Sequence, residues 1–313
     1  MISKHAVLCL AAAYASLRAQ PANDPAGYPS RTLEPVILAW EPNGAEYKLH
    51  TRELDSRPFP PHRIIANVYY VGSSGYASYL VTSDQGHILI DTGYKSFIPT
   101  IRANVEKLGF RFNDIKILLL THAHVDHTEG AALVKELTGA KLQVMEGDAE
   151  IVESGGPPEA AGSMPPAKVD RVLHDKDQVT LGENSLTAHL TPGHTPGSTT
   201  WLFRVMEGGK EYTVNMMTSL SVNDARFLVS PNHPTLVEQY LRTYRVLKAL
   251  PCDVFLSSHD KFFGLHEKYA KMQKGGGTNP YIDPEGYRAH IALQEANFYY
   301  KLDWANRWLQ IPR

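Results

Sequence analysis

Short apolar runs alternate with amphipathic segments along most of the chain. Runs rich in β-branched and aromatic residues predict strands over residues 64–71, 76–82, 87–91, 115–120, 141–145, 185–190, 199–205 and 253–257. Apolar residues at helical spacing predict helices over residues 97–108, 131–138, 148–153, 234–250, 265–274 and from 284 toward 308. Between them, residues 83–86 predict a hairpin turn, residues 154–168 a surface loop, and Pro234 the first position of its helix.

The first 61 residues do not continue this pattern. Residues 1–19 predict a secretory signal, because Lys4 and His5 precede an apolar segment and small residues follow it. The alternative is a frayed N-terminal helix, and the segment is too short to span a bilayer. Residues 20–61 are Pro-rich and predict an N-terminal arm. We therefore expect a periplasmic or secreted protein in which Cys252 is the only remaining cysteine, so that no intrachain disulfide forms.

Composition narrows the class of protein only a little. The 313 residues are 43% hydrophobic and 20% charged, as in an ordinary globular protein with a large core. A net charge of −2 leaves no basic surface of the kind that nucleic acids bind. We expect a protein that acts on a small molecule as a monomer, without nucleic acid and without a membrane span.

The stretch LLLTHAHVDHTEG at residues 118–130 carries the clearest chemistry. It places His122, His124, Asp126 and His127 in the turn after a predicted buried strand. Alternation puts the first three on one side of an extended segment, and His127 can turn back from the next helix. A catalytic zinc usually takes three protein ligands and a water, so four ligands imply two metals and further ligands downstream.

Two downstream histidines complete the pattern. His194 lies in the Pro/Gly-rich turn TPGHTPG, and His259 directly follows the last predicted strand. In this order, HxHxDH, TPGHTPG and a late strand-end histidine resemble the metallo-β-lactamase superfamily of di-zinc hydrolases. Residues 71–94 are similar to the superfamily's early strand pair and its aspartate-containing turn, and residues 218–221, 252–259 and 279–287 resemble its B3 subclass.

The resemblance implies an α/β fold, the four-layer αββα sandwich, as a single domain over residues 62–313. It implies a zinc-dependent β-lactamase, which hydrolyses the amide bond of penicillins, cephalosporins and carbapenems with a hydroxide that zinc makes available at neutral pH, and hence a link to antibiotic resistance. The ligand sets it implies are His122, His124 and His194 for the first of two zinc ions, and Asp126, His127 and His259 for the second.

The same resemblance implies roles for five residues around the metals. Asp126 and His194 are expected to act in catalysis as well as in metal binding. Ser219 and Ser221 are expected to contact the substrate carboxylate, although ordinary strand-end serines are the alternative. Asp91 is expected to lie beneath the metal loop, where a turn-capping aspartate is an equal alternative.

Other functions stay open at this stage. A lactonase, a glyoxalase II-like thioesterase or a phosphodiesterase of the same fold generally carries an aspartate that bridges both metals, and residues 217–220 contain no acid. A di-iron flavoprotein would have Glu in place of His124 and would need an added flavin domain. The remaining alternative is a zinc-binding module without catalysis.

Overall fold

The structure, a computed structural model, describes residues 55–157 and 162–309. Its first sheet contains β1 (His62–Ile65), β2 (Val68–Tyr70), β3 (Tyr79–Ser83), β4 (Gly86–Ile90), β5 (Ile115–Leu119), β6 (Lys141–Met145) and β7 (Arg171–Leu173). The second contains β8 (Gln178–Leu181), β9 (Asn184–Leu190), β10 (Thr199–Glu207), β11 (Lys210–Met217) and β12 (Val254–Ser257). The predicted signal and the predicted arm up to residue 54 lie outside the described residues.

Strand direction brings several strand ends to one edge of the first sheet. In that sheet the strands lie in chain order, antiparallel from β1 to β4 and parallel from β4 to β7. The second sheet has the order β12-β11-β10-β9-β8, and only its β11–β12 pair is parallel. Because parallel strands end at the same edge, the segments that follow β4, β5 and β6 are neighbours there.

Helices cover the outer faces of the two sheets. They are α1 (Ile98–Lys107), α2 (Val125–Thr128), α3 (Ala131–Thr138), α4 (Glu146–Ser154), α5 (Leu236–Ala249), α6 (Asp260–Phe263), α7 (Leu265–Lys274) and α8 (Pro284–Leu309). Short 3₁₀ turns cover Lys95–Phe97, Phe112–Asp114 and Ala225–Val229. Within the described part of the chain, none of the helices combines the length and the apolar character that a membrane crossing requires.

Alternation along the strands separates two apolar cores. Leu80, Leu89 and Leu118 face outward and pack with residues of α1 and α3. Their neighbours along the strands face inward and pack with the second sheet, including Trp201 of β10. Tyr240 of α5 and Phe298 of α8 belong to the same cluster as these inward-facing residues and the second sheet. The predicted four-layer αββα sandwich is therefore confirmed.

The single strand predicted over residues 64–71 is wrong. The chain turns back at Ala66 and Asn67, so that β1 and β2 pair antiparallel. Ala66 has a φ of 44°, and its N–H donates to the Glu207 carboxylate at 2.9 Å. The Asn67 amide donates to the backbone oxygen of Thr82 at 2.6 Å. These contacts come from distant parts of the chain and stabilise a tight turn inside a continuous apolar run.

Other boundaries also differ from the sequence predictions. Helix α5 begins at Leu236 with Thr235 as its N-cap, so Pro234 is not its first residue. The predicted surface loop buries Met164 and Ala167. The Thr128 hydroxyl of α2 donates to the Met164 sulfur at 2.8 Å, and Ala167 packs in the outer apolar core of the first sheet. Strands β7, β8 and β11 had no clear periodic signal. Their pairing with longer neighbouring strands decides their conformation.

His62 makes the stability of this fold depend on pH. Its Nδ1 lies 2.8 Å from the Pro60 oxygen and its Nε2 lies 2.6 Å from the Tyr281 hydroxyl. Burial lowers the pKa of His62 to about 4, although the bond to Pro60 opposes the shift. The unfolded chain binds this proton near the ordinary pKa of about 6.5. The contribution of neutral His62 to the free energy of unfolding is therefore fully present above about pH 6.5. It is lost as the pH falls toward 4, and the total loss is about 3 kcal/mol.

We expect a His62→Gln variant to lose less stability than the parent between pH 7 and 4.5. Chemical unfolding of both metal-free proteins across this range measures the difference. Parallel pH profiles for the two proteins would contradict the assignment to His62.

Candidate metal centre

The predicted metal loop lies where β5 ends, at the edge that also receives the ends of β4 and β6. His122 is buried. His124 is at the N-cap position of α2, and Asp126 and His127 lie within this four-residue helix. The loop is tied to the second sheet, because the N–H of Thr199 donates to the Thr121 oxygen at 2.7 Å. The two sheets therefore meet at this loop.

The first three histidines form one group of possible ligands. The ligand atoms of His122, His124 and His194 lie within 4.8 Å of one another. His194 Nδ1 lies 2.7 Å from the Ser221 oxygen, which fixes its proton there and turns Nε2 toward the group. His122 Nδ1 lies 3.1 Å from the Thr121 hydroxyl, and His122 Nε2 is buried without a hydrogen-bond partner in the described part of the chain. A buried nitrogen of this kind is what a metal would satisfy.

The other three predicted ligands form a second group. His127 Nε2 lies 3.2 Å from His259 Nε2 and 3.4 Å from an Asp126 oxygen. The same Asp126 oxygen lies 3.7 Å from His259 Nε2. In a tetrahedral zinc site with bonds of about 2.0–2.1 Å, ligand atoms are about 3.3–3.4 Å apart. The residues of this group therefore fit a zinc ion, in nature and in spacing.

The protonation of most of these imidazoles suits metal binding. Burial lowers the pKa of His194 to about 3 and holds the pKa values of His122 and His259 well below their usual range. Neutral imidazole is the form that binds a metal. These three side chains are therefore ready ligands at neutral pH.

The pKa of His127 is shifted in the opposite direction, because two carboxylates face this imidazole. Although burial lowers its pKa, the charges of Asp126 and Asp91 prevail and raise the pKa of His127 to about 10. Burial likewise opposes ionisation of Asp126, but His127 holds the pKa of that carboxyl below its usual range. A cation held by this group would replace the proton that His127 shares with Asp126.

Asp91 lies beneath the second group and holds it from behind. One of its oxygens lies 3.0 Å from His127 Nδ1 and accepts the Thr121 hydroxyl at 2.6 Å. The other accepts the Thr121 N–H at 2.7 Å. The residue is buried with a φ of 58°, so the strand end is held in a left-handed turn by these bonds. The Asp91 carboxylate thus contacts a candidate ligand, His127, and also accepts hydrogen bonds from Thr121 in the turn.

The predicted substrate serines follow β11, next to the first group. The Ser219 hydroxyl is buried and lies 2.7 Å from that of Ser221, which is partly exposed. Thr218, at the end of this strand, contacts the Thr121 oxygen at 3.2 Å. Asp126 is the only carboxylate in either ligand group among the described residues.

Sequence reasoning missed two residues that support this site. Tyr240 was predicted only as part of an apolar helix face, but its hydroxyl donates at 2.8 Å to the same Ser221 oxygen that His194 contacts. Asp148 was predicted only as the start of a short helix, and its carboxylate contacts both metal-binding loops. For Asp148 a signal existed, since an acid follows the strand adjacent to the one that carries the metal loop.

The four-layer αββα sandwich places two adjacent groups of candidate metal ligands where the strand ends of its two sheets meet, an arrangement that suits metal-assisted hydrolysis. A family model described as the metallo-β-lactamase superfamily matches residues 72–204. Native FEZ-1 metallo-β-lactamase from Legionella gormanii is 42% identical, with a TM-score of 0.78, over 80% of this chain and 98% of that chain. BJP-1, a subclass B3 metallo-β-lactamase of Bradyrhizobium japonicum, is 38% identical with a TM-score of 0.78, over 82% and 98%.

The curated relatives match a smaller part. A hydroxyacylglutathione hydrolase of Cereibacter sphaeroides is 28% identical over 153 residues, which are 49% of this chain and 51% of that protein. A β-lactamase-like protein 2 homolog of Drosophila melanogaster is 34% identical over 124 residues, 39% of this chain and 40% of that protein. The chain thus spans about half, or less, of these relatives. With the structural neighbours, the matches show that it belongs to the metallo-β-lactamase superfamily. It is a hydrolase of that superfamily, and its structural neighbours include BJP-1, which is described as a subclass B3 enzyme.

Proposed function

We propose that this protein is a zinc-dependent β-lactamase that hydrolyses the amide bond of penicillins, cephalosporins and carbapenems. The extent of the similarity carries the proposal. Two solved β-lactamases are matched over 98% of their length at 42% and 38% identity, whereas the hydroxyacylglutathione hydrolase is matched over 51% of its length at 28% identity. The β-lactamase matches cover 80% and 82% of this chain, whereas the hydroxyacylglutathione hydrolase match covers 49%.

The side chains of the site suit an anionic substrate. Two bound zinc ions would supply Lewis acidity and a water activated at neutral pH. Two divalent ions carry four positive charges, and Asp126 offsets one of them, so the loaded site stays cationic. The partly exposed Ser221 hydroxyl can donate to the substrate carboxylate, and the Ser219 hydroxyl lies 2.7 Å from it.

The absence of a second carboxylate at the end of β11 favours the same substrate class. Thr218 and Ser219 occupy the place at which a bridging aspartate is expected in lactonases and thioesterases, and both are buried. A bridging carboxylate would lower the charge of the loaded site. Without it, the site attracts the carboxylate of a β-lactam more strongly.

The proposal is tested by hydrolysis of a chromogenic cephalosporin and of a carbapenem by the purified chain. Assays run with added zinc, with a chelator, and with the chelator followed by zinc. We expect turnover that the chelator removes and zinc restores. A zinc-loaded protein that binds two ions and hydrolyses neither compound would refute the proposal.

A glutathione thioester belongs in the same panel, because a hydroxyacylglutathione hydrolase is 28% identical over 153 residues, 49% of this chain. Hydrolysis of the thioester with no β-lactam turnover would make the chain a thioesterase of the same superfamily. We expect the opposite preference.

Ser221→Ala should weaken substrate binding with little effect on kcat. Loss of one hydrogen bond to a charged group raises the KM of a carboxylate-bearing β-lactam about tenfold. The backbone oxygen that His194 contacts stays in place, so metal content should not change. Steady-state kinetics measure the effect, with the remote Ser154→Ala as the matched control. An unchanged KM would remove Ser221 from the substrate contacts.

We also propose export to the periplasm or the exterior, and a monomeric state. The support for export is the predicted signal over residues 1–19, and cell fractionation tests it. The described region contains one cysteine, Cys252, and its thiol is free. Light scattering of the purified protein measures the mass against the 34.8 kDa of the chain.

A further inference from the structure

We propose that Asp148 is a positioning residue, which holds the loop of His194 against the loop of His122 and His124 and so sets the spacing of the first ligand group. The inference concerns metal binding by the chain's own residues. It does not depend on which substrate is hydrolysed.

Three donors from two loops converge on the Asp148 carboxylate. One oxygen accepts the N–H of Ala123, the residue between His122 and His124, at 2.7 Å. The same oxygen accepts the hydroxyl of Thr195, the residue directly after His194, at 2.7 Å. The other oxygen accepts the Gly197 N–H at 2.7 Å. One buried side chain therefore connects the neighbours of all three histidines.

The backbone is built for this close contact. A Cβ added to Gly197 would lie 2.4 Å from the Asp148 nitrogen, and one added to Gly147 would lie 2.5 Å from the Pro196 carbonyl carbon. Contacts below 3.0 Å are not found for real Cβ atoms, so both positions require glycine. The start of α4 is thus pressed against the turn that presents His194.

Asp148 is one of three contacts that hold the turn around His194, together with the Thr243 hydroxyl on the Pro192 oxygen at 2.7 Å and the Ser221 oxygen at His194 Nδ1. The backbone–backbone bonds of the turn near the histidine, such as Gly193 N–H to the Thr195 oxygen, are internal to it. The bond from Thr199 to Thr121 joins the sheets farther along the chain, at the start of β10. Asp148 therefore acts on the position of the His194 ring, which lies 4.5 Å from that of His124 between centroids.

Asp148→Asn is a sharp test because it keeps the size of the side chain. An amide can accept at one end only, so its NH₂ group must face either the Gly197 N–H or the Ala123 N–H. At least one of the two loops then meets a donor where it had an acceptor. Loss of a partner that orients metal ligands lowers metal affinity about ten- to a hundredfold.

The experiment measures zinc affinity by competition with a chromophoric chelator, and the visible absorption of the cobalt-substituted protein. For Asp148→Asn we expect one ion to bind about ten- to a hundredfold more weakly, the other to keep its affinity within about twofold, and the cobalt bands to change. Asp170→Asn is the matched control, because Asp170 also accepts a backbone N–H, from Leu142 at 2.8 Å, at the far end of β6. The control should bind both ions as the parent does.

A His122→Ala background identifies which ion is affected. There the first group has already lost a ligand, so adding Asp148→Asn should leave the affinity of the remaining ion unchanged. Parent affinities for both ions and parent cobalt bands in Asp148→Asn would overturn the proposal, as would a further loss in the double variant. Should Asp148→Asn not fold, Thr195→Val removes one of the three donors. We expect it to weaken the same ion severalfold, and an unchanged affinity would overturn the proposal equally.

Discussion

Removal of metal should lower the rate of β-lactam hydrolysis at least about a thousandfold, or about 4 kcal/mol of transition-state stabilisation. In the described part of the chain, the groups at the site are imidazoles, one carboxylate in the ligand sets and the serine hydroxyls beside them. None of these activates water near pH 7 as a divalent ion does. The predicted loss of rate therefore follows because the ligand groups alone do not activate water at neutral pH.

Zinc should also stabilise the folded chain, because both ligand groups exist only when the sheets are joined. At free zinc one hundred times the Kd, one ion adds about 2.7 kcal/mol. Calorimetry and metal analysis of the chelated and reloaded protein measure both effects. Full activity in a protein shown to contain no metal would contradict the prediction, and so would a transition temperature that zinc leaves unchanged.

His122→Ala should have the second large effect, a loss of hydrolysis of about a hundredfold or more. His122 is buried between the groups, with its ring centroid 4.1 Å from that of His127 and 4.6 Å from that of His194. Its Nε2 has no hydrogen-bond partner among the residues that the structure describes. Removing it leaves the first ion with two protein ligands, so we expect one zinc per chain in place of two.

Metal analysis and steady-state kinetics test this expectation together. The exposed His174, which lies near Glu146 and Asp177 outside both ligand groups, provides the matched control as His174→Ala. The control should bind two zinc ions and keep its activity. Two tightly bound zinc ions in His122→Ala would show that His122 is not a ligand.

The six candidate metal ligands could be predicted because their positions follow from local rules. Each of the three segments that carry them comes directly after an apolar strand or lies in a Pro/Gly-rich turn. A strand end is a fixed point in a sheet, so a histidine next to it has a defined place. The structure brings all six predicted residues together in the two sets that the resemblance implied.

The supporting contacts could not be predicted in the same way, because they join residues that are far apart in the chain. Tyr240 and Ser221 are 19 positions apart, and Asp148 and Thr195 are 47 positions apart. An apolar helix face predicts that Tyr240 is buried, but it does not tell which oxygen the hydroxyl meets. The turn at Ala66 has the same origin, since Glu207 supplies its acceptor from 141 positions away.

The sequence by itself determined the ligand types, their order and the strands that end beside them, because these depend on residue chemistry and on periods of two and 3.6 residues. The tertiary structure decided which nitrogen of His122, His127 and His194 contacts a neighbouring polar group. It also decided how Asp91 and Asp148 hold the loops, and where β1 turns into β2. Those features depend on hydrogen bonds between segments that only the packing of two sheets brings within about 3 Å.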